Sequence, residues 1–301
     1  MKDYVVFTIS SNKQTAKDFA KLWNCQLGKV SVKKFADGEV LVKTLTDVKD
    51  KDVIIVESTA KKANDIIFEI LMLLDSVNRC GARSVLLIIP YLGYSRQERV
   101  NYPNEPISCA VMAKLLETGN YNSLLSFDLH HPIIESFFTR GIKNIPTTKL
   151  FVDYYNDYLK DNNIKMKDVV VVSPDHGSNS RADMLVFGLR GSKKVILDKI
   201  RPEPDQVEHL EVSGEVKDKV CIIIDDIIST GNTIASSAKL LYKKGAKAVL
   251  VGATHGVFAK GSVELIKKAG VKDIVVTNTI EQNNGEDVKT LDIVGLILES
   301  I

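Results

Sequence analysis

The stretch Val220-Cys-Ile-Ile-Ile-Asp-Asp-Ile-Ile-Ser-Thr-Gly-Asn-Thr-Ile234 decides the fold. Val220 to Ile224 form a short β-branched run suited to a strand buried on both faces. Beyond a small polar turn, Ala235, Ala238, Leu241 and Tyr242 recur at helical spacing until Gly245 stops the pattern. Ser229, Thr230, Gly231, Asn232 and Thr233 are therefore expected at a strand's carboxyl end and a helix's amino end. Backbone N–H groups there lack partners and the helix dipole points at whatever the loop holds, so a phosphate monoester is a natural guest. Asp225 and Asp226 repel a phosphate, which leaves neutral hydroxyls or a cation as their partners. A sugar phosphate supplies hydroxyls and phosphate together. The plain alternative is an ordinary strand, turn and helix with a capping hydroxyl and two solvated acids.

Working outward, apolar strand-like runs recur at 5–9, 53–56, 85–89, 124–127, 169–172, 195–197, 248–252 and 274–276, with helical patterns at 15–22, 66–79, 108–117, 150–160 and 262–268. Such alternation with short connections predicts an α/β fold of two similar doubly wound domains with mainly parallel sheets. A length of 301 residues suits two domains. The boundary is placed near Lys143-Asn-Ile-Pro-Thr147, giving 1–145 and 146–289, although no sequence repeat aligns between the halves. Lys199 to Glu215 is charged, carries Pro202 and Pro204 and lacks periodicity, so it reads as a mobile loop over the sheet's carboxyl edge.

Forty basic against 38 acidic residues leave no global field to attract nucleic acid or a membrane surface, so small molecules are the expected partners. Eight arginines stand among the cations, and Arg96, Arg99 and Arg201 fall within short motifs where a rigid fork suits phosphate. Cys25, Cys80, Cys109 and Cys221 show no metal or redox spacing and read as reduced, structural thiols. The run from Tyr4 to Ile9 is too short for a signal-peptide core, and no stretch has membrane-spanning length. A cytoplasmic protein is expected.

In open parallel sheets ligands bind beyond the carboxyl ends of the strands. Asp128 and His130, Asp175, Lys199 and Arg201, and Asp225 each follow one of the runs above. Their convergence predicts one active site.

Two acids followed by a small polar loop resemble the ribose 5-phosphate site of the phosphoribosyltransferase fold. Phe35-Ala-Asp-Gly-Glu39, Pro90-Tyr-Leu-Gly-Tyr-Ser-Arg-Gln-Glu-Arg99, Glu105-Pro-Ile-Ser108, Asp128-Leu-His130, Val172-Ser-Pro-Asp175, Asp198-Lys-Ile-Arg-Pro202 and Thr254-His-Gly-Val257 extend the resemblance along nearly the whole chain, to the ribose-phosphate diphosphokinase (phosphoribosyl pyrophosphate synthetase) family. That resemblance implies Mg²⁺-dependent transfer of pyrophosphate from ATP to the C1 hydroxyl of ribose 5-phosphate. It gives Lys199 and Arg201 the catalytic role, and Phe35, Asp37, Gly38, Glu39, Arg96 and Gln97 the ATP. His130 and Asp175 take the metal, and Asp225, Asp226 and Ser229 to Thr233 the ribose 5-phosphate. It further implies an ATP-binding first domain onto which residues 290–301 fold back, a ribose 5-phosphate-binding second domain, and a homo-oligomer, a hexamer by resemblance, whose Phe35–Glu39 loop serves a neighbouring subunit. No Walker-type loop or dinucleotide-binding glycine fingerprint is present, so ATP must be held by other means.

The chain also departs from the family's pattern. Ser229 stands where an Asp is usual, Asn232 replaces a small Ala or Gly, and Ile200 replaces an arginine. Glu98 replaces an Asp, His131-Pro-Ile-Ile134 reshapes the segment after His130, and His176-Gly-Ser-Asn-Ser180 adds hydroxyls and a titratable group to a glycine-rich turn. A phosphoribosyltransferase shares the Asp225–Thr233 site but does not need the other motifs. A noncatalytic regulatory subunit of the same fold is the remaining alternative.

Overall fold

The computed structural model describes residues 3–200, 209–283 and 285–301. The chain divides into two compact units, Met1–Ile145 with Asn278–Glu281 and Asp292–Ile301, and Pro146–Thr277 with Gln282–Leu291.

In the first unit β1 (Tyr4–Phe7), β2 (Gln26–Leu27), β5 (Asp52–Val56), β6 (Ser84–Ile89), β7 (Ser123–Phe127) and β8 (Lys143–Ile145) form a parallel sheet of order β2-β1-β5-β6-β7-β8. Helices α1 (Lys13–Leu22), α2 (Ala63–Arg79) and α3 (Ser108–Glu117) carry the crossovers. Their buried residues (Phe19, Ile70, Leu74, Met112, Leu116) follow helical spacing, and most pack with Val5, Phe7, Ile55 and Leu87 of the strands. A separate antiparallel hairpin, β3 (Val30–Lys34) and β4 (Val40–Thr44), stands outside the sheet.

The second unit contains β9 (Val169–Ser173), β10 (Lys193–Ile200), β11 (His209–Val212), β12 (Val220–Ile228), β13 (Ala248–Gly256), β14 (Asp273–Thr277) and β15 (Lys289–Leu291), in the order β11-β10-β9-β12-β13-β14-β15. All pair in parallel except the edge strand β11. Strand residues alternate between two cores: Val170, Val172, Cys221 and Ile223 join the face of α6 (Asn232–Lys243) and α7 (Ser262–Lys268), whereas Val169, Val171, Ile222 and Ile224 join that of α4 (Thr148–Asp161) and α5 (Asn179–Gly188). This double burial is why the strands read as unbroken apolar runs. Apart from β11 the two units share one strand order, the fold class expected from the alternation of elements.

Three boundaries differ from the sequence reading. β12 does not end at Ile224 but runs through both acids to Ile228, because Ile227 and Ile228 resume the ladder with His255 and Gly256 of β13. Part of the expected loop from Lys199 to Glu215 is a paired hairpin, with Lys199 opposite Leu210 and Ile200 opposite His209; its charge suits an edge strand, which is protected by polar residues. Residues Thr290 and Leu291 pair with β14 in the second unit, and it is Asp292–Ile301 that belongs to the first, with α8 (Val294–Ser300) packed on α1.

Gly28 donates its N–H to Val6 O at 2.7 Å, and a Cβ there would lie 2.2 Å from the ring of Phe7, which has no exposed surface. Gly28→Ala is expected to lower stability by about 1–3 kcal/mol, the scale of overpacking a filled core, read as an earlier urea transition.

Candidate functional site

β9 is shorter than the strands beside it at the carboxyl edge. Its ladder with β10 ends at Ser173 opposite Ile196, and that with β12 at Val172 opposite Ile223, while β10 runs on to Ile200 and β12 to Ile228. The connection from β9 leads to β10 on one side and that from β12 to β13 on the other, so a crevice opens between them at the topological switch point.

The segment Pro174 to Ser178 drops into this gap and is tied to both walls. Ser178 Oγ donates to Asp225 Oδ1 at 2.6 Å, and His176 Nε2 lies 3.0 Å from Asp198 Oδ1 of β10. Ser178 N–H donates to Asp175 Oδ1 at 3.0 Å and Ser173 Oγ to the Asp175 carbonyl at 2.6 Å, fixing the turn from within.

Asp225 and Asp226 are 8% and 4% exposed, which removes the alternative of two solvated acids. Their partners are of the expected kinds: the Ser178 hydroxyl for Asp225, and the Arg181 guanidinium, with Nη1 4.0 Å from Asp226 Oδ1. Burial, then the neighbouring Asp226 carboxylate, push the Asp225 carboxyl up to about 8, with the Ser178 bond pulling the other way and Asp175 adding to the rise.

Beyond β12, Ser229 and Thr230 lead to Gly231, whose φ of +78° turns the chain into α6. A Cβ at Gly231 would meet Ser262 O at 3.0 Å and Ile266 at 3.1 Å, so both conformation and space call for glycine. The helical ladder starts with Ala235 N–H donating to Gly231 O at 2.9 Å, and no side chain caps α6. The N–H groups of its first turn therefore face the loop, as the sequence predicts. Thr230, Asn232 and Thr233 are exposed around it, and Ala259 N–H donating to Ser229 O at 2.9 Å holds its base.

In the first unit Phe35–Glu39 forms the turn of the β3–β4 hairpin. Phe35 N–H donates to Glu39 O at 2.8 Å, Gly38 adopts φ +97°, and all five residues are exposed. Arg96 and Gln97 follow β6; Arg96 is exposed and Gln97 Oε1 accepts from Ser108 Oγ at 2.6 Å. Asp128, at φ +35°, and His130 follow β7. The departure at His131-Pro132 builds a short 3₁₀ turn, in which His131 Nδ1 accepts the Ile133 N–H at 3.1 Å. Lys199 lies on β10, within the strand rather than after it, and Arg201 lies outside the described residues.

The structure thus brings Asp175, Asp225, Asp226 and the loop Ser229–Thr233 to one edge of the second sheet. Sequence reasoning gave no role to Ser178 and Arg181. Ser178 is one of the hydroxyls that depart from the family's glycine-rich turn after Asp175, and Arg181 stands beyond that turn at the start of α5.

Two doubly wound units, one with paired carboxylates leading into an uncapped helix N-terminus, define a phosphoribosyltransferase-like α/β fold. Residues 4–119 match the N-terminal domain of ribose phosphate pyrophosphokinase, and residues 190–301 the phosphoribosyl synthetase-associated domain. The chain is 37% identical to the ribose-phosphate pyrophosphokinase of Bacillus subtilis, over 100% of this chain and 93% of that protein. It is 35% identical to that of Bacillus caldolyticus, over 98% and 93% respectively. The solved structure of phosphoribosylpyrophosphate synthetase from Mycobacterium smegmatis matches with a TM-score of 0.90 at 30% identity, over 99% of this chain and 97% of that one. The chain belongs to the ribose-phosphate pyrophosphokinase family.

The Asp225 carboxyl gives the site a defined pH dependence. Its folded value lies above the unfolded value of 3.8, so its contribution to stability is fully present below 3.8 and is lost as pH rises through about 8. Asp225→Asn removes this dependence. Relative to the native chain the variant should gain stability between pH 5 and 8.5, by on the order of 2 kcal/mol, the scale of leaving a buried charged group poorly paired. Urea unfolding at the two pH values measures the difference.

Proposed function

We infer that this chain transfers the β,γ-diphosphate of ATP to the C1 hydroxyl of ribose 5-phosphate, releasing phosphoribosyl pyrophosphate and AMP. The observation that carries this reading is the buried Asp225–Asp226 pair leading into an uncapped helix N-terminus, in a chain related along its whole length to ribose-phosphate pyrophosphokinases.

Ser229 to Thr233 hold the 5-phosphate through backbone N–H groups and small hydroxyls. Asp225 and Asp226 accept from the ribose hydroxyls, orienting C1 away from the loop. We assign the second unit to ribose 5-phosphate, and the first unit to ATP through Phe35, Asp37, Gly38, Glu39, Arg96 and Gln97. The exposed Phe35 ring suits an adenine face and the Arg96 fork suits phosphate oxygens.

His130 and Asp175 are the residues we assign to Mg²⁺. The donor set fits a weakly held ion. Asp175 engages the Ser178 N–H through Oδ1, and the Arg181 guanidinium lies 4.0 Å from Asp226 Oδ1. Mg²⁺ prefers oxygen ligands and keeps several waters, so phosphate oxygens and water are assigned the rest of the shell. When bound, the ion neutralises phosphate charge. Lys199 and Arg201 are assigned to the β-phosphate, where charge changes during transfer.

Phe35, Leu41 and Leu45 on and beside the hairpin are 40%, 50% and 57% exposed, on the face opposite the buried Val42, an apolar surface that a neighbouring subunit would cover. This supports a homo-oligomer in which the hairpin reaches a neighbour's site; a hexamer is the form implied by resemblance. A cytoplasmic setting is supported by the buried thiols of Cys109 and Cys221, which desolvation pushes up to about 12. Among the described residues no helix is long and apolar enough to cross a membrane.

Incubation with ATP, ribose 5-phosphate and Mg²⁺ is expected to yield AMP; ADP would indicate ordinary phosphoryl transfer, and no turnover a noncatalytic subunit. Lys199→Ala should lower turnover by about 10²–10³, the scale of one preorganised charge-stabilising donor, with little change in KM. Ile200→Ala should do far less, since an apolar side chain brings no charge to the β-phosphate. Equal damage from both variants in steady-state assays would remove the catalytic assignment.

A further inference from the structure

The first unit has a crevice equivalent to the one that forms the candidate site, and it is filled. β1 connects to β2 on one side and β5 to β6 on the other, so the switch point lies between β1 and β5. Glu57 stands two residues beyond the pair Phe7–Ile55, just as Asp225 stands two beyond the pair Val172–Ile223. Both are carboxylates at the third strand of a shared strand order, facing the loop that follows the first.

Their surroundings differ. Glu57 has no exposed surface. Its Oε2 accepts the Ile9 N–H at 2.8 Å and lies 3.0 Å from Thr8 Oγ1, and its Oε1 accepts the Ser10 N–H at 2.9 Å and the Ser11 N–H. Three successive N–H groups converging on one acidic group form a backbone nest, an arrangement that binds oxyanions. Burial pushes the Glu57 carboxyl up while these bonds pull it down.

The walls are closed by the same chain. Asn12, fully buried, donates from Nδ2 to the Asn278 and Thr279 carbonyls at 3.1 Å each and accepts the Ser58 N–H at 2.9 Å. Ser58 Oγ donates to Thr279 O, and Ser10 Oγ to the Glu69 carboxylate. Glu281 Oε1 takes the Gln14 N–H at 2.7 Å in the first turn of α1.

We propose that the first unit's crevice is an oxyanion site whose permanent occupant is the chain's own Glu57 carboxylate, and that removing this side chain opens the nest to small carboxylates such as acetate. Truncation to alanine deletes the atoms of one acetate, so the probe matches the space in size and charge. The inference rests on the first unit's geometry alone and does not depend on the reading of the second unit's site. Its consequence is that the crevice of the first unit is closed to anionic substrates.

The test follows thermal unfolding of the full chain in acetate against equal concentrations of chloride. The native protein should gain nothing from acetate over chloride. Glu57→Ala should melt lower and recover most of the lost midpoint in a saturable manner, as ligand binding to the folded state requires. An equal acetate response in both proteins, or none in a folded Glu57→Ala, overturns the proposal. Should Glu57→Ala fail to fold, Glu57→Gln decides by hydrogen exchange. That variant keeps the volume and loses the charge, so the Ile9, Ser10 and Ser11 amides should exchange faster than in the native chain, and unchanged exchange overturns the proposal.

Discussion

Everything in the second unit's site depends on β9 ending before β10 and β12. Had the three strands ended together, the acids of β12 would sit at a solvated rim with ordinary titration. Because β12 continues past β9, Asp225 and Asp226 are carried into a walled gap and lose their water. Losing that hydration costs several kcal/mol per ionised group unless donors replace it. Ser178 and Arg181, both delivered by the segment that enters α5, supply part of the replacement. The turn after β9 is thereby set by the acids of β12, and Asp175 is held within it.

The repeat of strand order between the units shows what distinguishes a structural carboxylate from one available to a ligand. Glu57 accepts three backbone N–H groups, donors that are part of the fold and cannot leave. Asp225 Oδ1 accepts one hydroxyl and the N–H of Asp226. A carboxyl group offers several hydrogen-bonding positions in either protonation state, so Asp225 retains capacity where Glu57 is committed. One topology therefore yields a closed joint in one unit and an open site in the other, through the donors placed opposite a single acid.

Much of this was legible in the sequence because it rests on local pattern. The unbroken β-branched runs reported strands buried on two faces, and the helices Ser108–Glu117 and Ser262–Lys268 have the limits that their periodicity predicts. The turn from β12 into α6 was readable because Gly231 and the residues beside it must satisfy a turn and a helix start at once. What the sequence hid was pairing across the chain. A pair of charges in a strand looks like its end, yet Asp225 lies in the ladder opposite Ala253, since backbone hydrogen bonds ignore side-chain charge. His209-Leu-Glu-Val212 lies in a charged, proline-bearing stretch that reads as loop, and its pairing with β10 makes it a strand. Ser178 and Glu57 are similarly silent, because nothing near either residue in sequence names the group it meets.

The same comparison explains why the departures from the family's pattern can be absorbed. Asn232 sits at the first position of α6, after the residue with positive φ, so its own backbone is helical and needs no left-handed conformation. The demand falls on Gly231, which the chain retains. Ser178, the added hydroxyl, lies against a carboxylate whose ionised form needs donors, so the substitution adds an interaction where solvent has been excluded. A change at such a site alters how readily Asp225 ionises, while the backbone of the loop is fixed separately by Gly231 and by the anchoring of Ser229 to Ala259. The paired acids and the loop beyond them are in this way built on different supports, and each can diverge without disturbing the other.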